Sequence, residues 1–145
     1  MTLNARVEGI LISISGGTHN LDHLRQVKNS NIPLLFFDRV VDEIESNKVL
    51  IDDFQGAYKA VSHLISEGFT NIVHFAGPTH INVYRNRLLG YLEALKQNKL
   101  DQKKEYIFHD TLTEEKGWNA CKEIMNRKDR PDAIFLQAIF LHLEQ

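Results

Sequence analysis

The 145-residue chain reads as an α/β protein of the doubly wound, parallel-sheet class. Three observations predict it. Short runs rich in β-branched and aromatic residues recur along the chain, stretches with helical apolar spacing separate most of them, and the runs are apolar throughout rather than alternating, as strands covered on both faces are. Strands joined by helical crossovers pair in parallel, because only a right-handed crossover packs back onto its own sheet.

Residues 7–14 (VEGILISI) form the first such strand. Asn20 is placed to cap a helix whose Leu21, Leu24 and Val27 share one face, and residues 29–33, ending in Pro33, stop it. Residues 34–37 (LLFF) are a second buried strand, and after a polar loop over 38–47 the run 48–52 (KVLID) is a third. The clearest helix runs over 54–67. Asp53 is its expected N-cap, Phe54, Ala57, Tyr58, Val61, Leu64 and Ile65 make its apolar stripe, and Gly68 ends it.

Residues 72–76 (IVHFA) are a strand ending in Gly77 and Pro78, followed by a helix over 83–97 carrying Tyr84, Leu88, Tyr91, Leu92 and Leu95. A strand over 106–109, a helix capped by Thr113 and carrying Trp118, Cys121, Ile124 and Met125, and a strand over 133–136 complete the order βαβ, β, αβαβαβ. The elements fall into two groups that meet at Asp52 and Asp53. Both ends read as cut. A buried strand only six residues from the start normally pairs with strands from earlier sequence, and residues 139–145 cannot complete another βα unit, so a partial domain is the simpler reading.

Composition narrows the function. Seventeen Lys and Arg against 19 Asp and Glu give a net charge of −2, so the chain as a whole does not attract nucleic acid or anionic lipid. The single cysteine, Cys121, excludes an internal disulfide and a cysteine zinc cage, and fits a reducing cytoplasm. No run is long and apolar enough for a membrane helix, and no secretory core opens the chain, so a cytoplasmic location without membrane contact is expected.

Enzyme signatures are scarce. Gly16 and Gly17 lack dinucleotide-fingerprint spacing and make a turn, no phosphate loop is present, and no nucleophile elbow surrounds Ser13 or Ser15 near His19. His19 and His23 stand four apart, but a cap at Asn20 leaves His19 outside the helix, and both read as surface histidines rather than metal ligands. Lys96, Lys99, Lys103 and Lys104, without interleaved aromatics, read as a solvated helix end. His74 reads as a core or strand-edge histidine with a satisfied nitrogen. No enzyme activity and no cofactor are expected.

Open α/β sheets bind ligands beyond the carboxyl ends of their strands. The residues there are 13–18, Asp38 and Arg39, Asp52 and Asp53, 77–82, and His109 and Asp110, with Arg87 one turn into the following helix. Carboxylates and amides there can accept from hydroxyl groups, and the planar Arg87 fork can donate, which suits a sugar or another small polar ligand. Arg87, Asp38, Asn82 and Asp53 are the candidate ligand-binding residues.

The runs IPLLFFDR (32–39), VLIDDFQGAYKAVSHLISEGFTNIVHFAGP (49–78) and RLLGYLEAL (87–95), with VEGILIS before them and RPDAIF (130–135) after, resemble the lactose-repressor (LacI), periplasmic-binding-protein-like family of regulators. The resemblance covers residues 7–135. Its most specific part is the helix-strand-Gly-Pro block with an arginine ten residues after the glycine. It implies a two-lobed sensor of the type I periplasmic-binding-protein class that binds a sugar, nucleobase or related effector between its lobes, joined to an N-terminal helix-turn-helix that reads an operator as a homodimer.

On that resemblance 1–53 is a partial N-terminal lobe and 54–145 a partial C-terminal one. Asp38 matches the cleft aspartate or its polar neighbour, and Arg87 the arginine that holds ligand hydroxyls or carboxylates. Ile81 and Val83 stand where relatives carry polar contacts, a departure that counts against a heavily hydroxylated ligand and leaves Asn82 as the polar candidate there. Relatives follow the last strand with an Asn-Asp pair, whereas this chain reads LQAIFLHLEQ. The helix-turn-helix is missing from the 145 residues, so operator binding would need sequence outside them. A transport-type sugar-binding protein and an α/β enzyme fragment are the alternatives.

Overall fold

The computed structural model describes residues 7–18, 20–109 and 111–137. His19, Asp110 and the tail 138–145 lie outside the described residues. The chain runs β1 (Ile10–Ile12), α1 (Asp22–Asn29), β2 (Leu34–Phe37), β3 (Asn47–Val49), α2 (Asp53–Ser66), β4 (Ile72–Phe75), α3 (Asn82–Gln97), β5 (Ile107–Phe108), α4 (Glu114–Met125), β6 (Ala133–Leu136). A single 3-10 turn, Lys104–Tyr106, leads into β5. The strands form two three-stranded parallel sheets, β1-β2-β3 and β5-β4-β6, so the protein is α/β as its sequence pattern predicts.

By contact the chain divides into two compact units, Met1–Ile51 with Ile81–Val83, and Asp52–His80 with Tyr84–Gln145. In the first unit the register Ile12↔Phe36 puts Ile12, Leu34 and Phe36 on one face, where Leu24 of α1 meets them together with Ile14, Val40 and Ile44. The other face carries Leu11, Phe37 and Val49, all exposed. Coverage on both faces, expected from the apolar strand runs, is thus met on only one face of this sheet by the described residues. Nor is β3 the buried strand expected over 48–52: all three of its residues are exposed, and it ends before Asp52 because Asp52 and Asp53 start α2.

In the second unit β4 is central and wholly buried. One face, with Ile72, Ala133 and Phe135, packs under α2 and α3 around Val61, Tyr91, Ala94 and Leu95. The opposite face, with Val73 and Phe75, packs against Ala120 and Ile124 of α4. Helices on both faces of a parallel sheet are the doubly wound arrangement. α3 approaches α2 closely enough that a Cβ on Gly90 would fall 2.3 Å from the Phe54 carbonyl oxygen.

Capping follows the expected chemistry with shifts of one residue. Asp52, not Asp53, caps α2, its Oδ1 accepting from the Gln55 N–H at 2.9 Å. Asn20 Oδ1 accepts from the Asp22 N–H at 2.7 Å, although Leu21 occupies the cap position of α1. Thr113 caps α4. Gly68, at φ 97°, closes α2 with Phe69 N–H on Leu64 O and Gly68 N–H on Ile65 O, the paired bonds of a Schellman ending. On α4 the inward residues are Ala120 and Ile124, whereas Trp118 and Met125, expected on the apolar stripe, face solvent.

Candidate functional site

Ile72↔Ala133 and Phe75↔Leu136 set β4 and β6 side by side, so the chain leaves both strands at one rim of the second unit, Gly77 following β4 and Gln137 following β6. Arg87, on the second turn of α3, reaches the same rim. Its Nε donates to Asp53 Oδ1 at 2.8 Å and its Nη1 to the Gln137 main-chain oxygen at 2.9 Å. Asp53, the first residue of α2, has a side chain only 4% exposed, whereas Arg87 keeps 27%. A buried carboxylate is costly unless paired, and here the Arg87 guanidinium pairs it. The remaining N–H groups of the Arg87 fork have no partner among the described residues. The site therefore offers the donors of a partly exposed guanidinium whose charge a buried carboxylate offsets.

Behind this pair lies a group whose role the sequence did not disclose. His74 is fully buried in β4. Its Nδ1 is 3.0 Å from the Phe135 main-chain oxygen, which can only accept, so Nδ1 carries the proton and Nε2 accepts from Gln137 Nε2 at 3.1 Å. The ring stacks on Phe135 with centroids 4.8 Å apart and tilts against Tyr91 at 5.0 Å. Burial in this apolar sandwich pushes the His74 pKa down to about 4, against the smaller opposing pull of the Phe135 hydrogen bond. Tyr84 lies flat over Gly77, where an added Cβ would come 2.7 Å from its ring.

In the first unit Asp38 follows β2 in the left-handed region, φ 58°. Its carboxylate is half exposed and accepts from Ser13 Oγ at 3.5 Å, with Arg39 Nε 3.6 Å away. Asn82, 5% exposed, fastens this turn by accepting from the Val40 N–H and donating to the Asp38 main-chain oxygen, both at 2.9 Å. The structure thus joins the four sequence candidates as two pairs, Arg87 with Asp53 and Asp38 with Asn82. Gln137 and His74 are the additions, and only the position of Gln137 directly after a strand could have signalled it.

At the opposite, amino end of β4 a cleft of about 240 Å³ opens beside Ile72, Lys99 and Lys103. Lys103 is not simply solvated there, since its Nζ donates to Asn71 Oδ1 and lies 4.6 Å above the Tyr106 ring. Among the described residues no three His, Cys, Asp or Glu side chains are grouped to hold a metal ion, and no helix is long and apolar enough to cross a membrane.

Residues 1–138 match the family model of periplasmic binding proteins and the sugar-binding domain of the LacI family. Among curated proteins the chain is similar to the HTH-type transcriptional repressor PurR of Proteus mirabilis, 32% identical over 93% of this chain and 40% of the relative, and to that of Actinobacillus pleuropneumoniae, 29% identical over the same shares. These relatives are named as repressors, not enzymes, and the chain spans about 40% of their length. Among solved structures it is similar to a regulatory protein of the LacI family from Chloroflexus aggregans, with a TM-score of 0.78 and 28% identity over 90% of this chain and 46% of that one. A complex of the transcriptional regulator CelR with cellobiose matches with a TM-score of 0.77 and 27% identity over 92% of this chain and 41% of that one.

Proposed function

Because this chain belongs to the family of periplasmic binding proteins and sugar-binding domains of LacI regulators, we propose that it is part of the effector-sensing domain of a transcription regulator and that its effector is a small, polar, sugar-like molecule. The observation that carries this reading is the Arg87–Asp53 pair at the strand-end rim. A guanidinium that keeps 27% exposure while a buried carboxylate offsets its charge matches the oxygen of a hydroxyl or amide group better than it matches a lone anion. The cellobiose in the CelR complex is a ligand of that chemistry. Asp38 is proposed as a ligand acceptor in its own right, and Asn82 serves by holding the turn that carries it.

Residues 1–53 and 54–145 are taken as parts of the N-terminal and C-terminal lobes. The intact regulator would be a cytoplasmic homodimer that reads operator DNA through a helix-turn-helix outside these residues. The effector acts by population shift, binding one lobe arrangement more tightly than the other, and each tenfold preference supplies about 1.4 kcal/mol of coupling. The family description also covers periplasmic binding proteins, and a helix-turn-helix or an export signal in the flanking gene sequence would separate the two readings.

A thermal-shift screen of the chain against ribose, cellobiose and purine bases tests the site. One compound should raise the melting temperature saturably in the wild type and fail to do so in Arg87→Ala. An equal response in both proteins, or consumption of the compound, rules the reading out.

A further inference from the structure

Gln137 is 8% exposed, and a carboxamide at so buried a strand end calls for a physical reason. Its main-chain oxygen receives Arg87 Nη1 at 2.9 Å. Its side-chain Nε2 lies 3.1 Å from His74 Nε2 and 3.4 Å from the Tyr84 main-chain oxygen. Its Oε1, although buried, has no partner among the described residues. Leaving a buried acceptor unpaired is unfavourable, and a leucine or methionine would avoid it. What the carboxamide adds is a donor aimed at two fixed acceptors. Both are held firmly: His74 by its bond to Phe135 and by the rings of Phe135 and Tyr91, and the Tyr84 carbonyl by the first turns of α3.

We propose that Gln137 is a positioning residue for Arg87: its side chain, moored on neutral His74 and on the Tyr84 carbonyl, fixes the main-chain oxygen that receives Arg87 and so sets the direction in which the guanidinium meets its ligand. The inference rests on Arg87 being the ligand contact, but the geometry it asserts exists without ligand. His74 is suited to the task because burial keeps it neutral well below pH 6.5. The titratable and charged groups around it are Tyr91 from α3, His109 after β5, and Arg87 and Asp53 beyond Gln137.

Nitrogen-15 NMR of the whole chain, following exchange of the Arg87 Nε proton with water, tests this without any ligand. Gln137→Met keeps the side chain's length and removes its hydrogen bonds. It should speed that exchange by roughly tenfold, the scale of one ordinary hydrogen bond, while the Tyr91 hydroxyl bond to Ile72 keeps its protection. Gln137→Glu sets a carboxylate against the lone pair of His74 and should behave like Gln137→Met at pH 8. As pH falls its exchange, taken as a ratio to the wild-type chain at the same pH, should return toward one, because the new carboxylate raises the His74 pKa and protonated His74 then donates to it.

Unchanged Arg87 exchange in Gln137→Met overturns the inference, and so does a Gln137→Glu variant whose exchange ratio to the wild type is the same at every pH. Titration with ribose and cellobiose separates the two failures. Loss of Arg87 order in Gln137→Met, together with a wild-type chain whose Arg87 signal responds to neither sugar, upholds the positioning role and counts against Arg87 as a sugar contact.

Discussion

Arg87 Nε lies 2.8 Å from Asp53 Oδ1, and the two ends of that bond see different solvent, the carboxylate 4% and the guanidinium 27% exposed. The carboxylate depends on the bond more than the guanidinium does. Arg87→Ala should therefore destabilise the second unit by roughly 2 kcal/mol, the scale of a hydrogen bond to a charged group whose partner stays buried. Asp53→Leu combined with Arg87→Met should cost less than the single changes sum to, because no charge is then stranded. Urea unfolding of the three variants measures the difference, and strict additivity would show that the pair is not coupled.

The turn after β2 depends on Asn82. Asn82→Ala leaves the Val40 N–H and the Asp38 carbonyl without their partners, at a cost of about 1–3 kcal/mol. Hydrogen exchange should show the Val40 amide losing protection while amides of β4 keep theirs. Asn82→Asp should restore the acceptor for Val40 but not the donor to Asp38, and so recover only part of the loss.

Burial of His74 makes stability depend on acid. Its folded pKa, about 4, lies below the unfolded value of 6.5, so the unfolded chain binds the proton first. The stabilisation is complete above pH 6.5 and is lost as pH falls toward 4. It amounts to on the order of 3 kcal/mol, from the difference between those two values. Unfolding free energies measured from pH 7.5 to 4.5 should fall in the wild type and fall less in His74→Phe. Parallel curves would assign the acid sensitivity elsewhere.

Gly90 sits where α3 meets α2, with no room for a methyl group against the Phe54 carbonyl. Gly90→Ala removes an unfavourable helix glycine, worth about 1 kcal/mol, but forces the two helices apart. The second effect should win, with a net loss of about 1–3 kcal/mol read as a lower melting temperature. A stabilised variant would mean that the helices can slide to admit the methyl.

Much of this fold was legible because its signals are local. Continuous apolar runs located β2, β4 and β6, helical spacing located α2 and α3, and Gly68 marked the end of α2 through its positive φ. Errors arose where neighbours in sequence compete. Asp52 and Asp53 are both good caps, and the choice between them turned on Arg87, 34 residues away, which claims Asp53 and leaves the cap to Asp52. Lys99 closes α3 in the left-handed conformation that a glycine would have advertised. Trp118 lies outside the core because α4 turns Ala120 and Ile124 inward. The site itself was half legible. Arg87 was a candidate from its place in the helix after β4 and from the family resemblance, but the Gln137–His74 bond spans 63 residues, and no local pattern encodes it.

The most direct measurement of the central claim is calorimetric titration of ribose and of cellobiose into the wild-type chain and into Arg87→Ala. A purine base is titrated alongside the two sugars, and saturable heat with at least one of the three, weakened at least about tenfold in the variant, or about 1.4 kcal/mol, is the predicted result. Equal affinity in the two proteins, or no heat from any of the three, would contradict it.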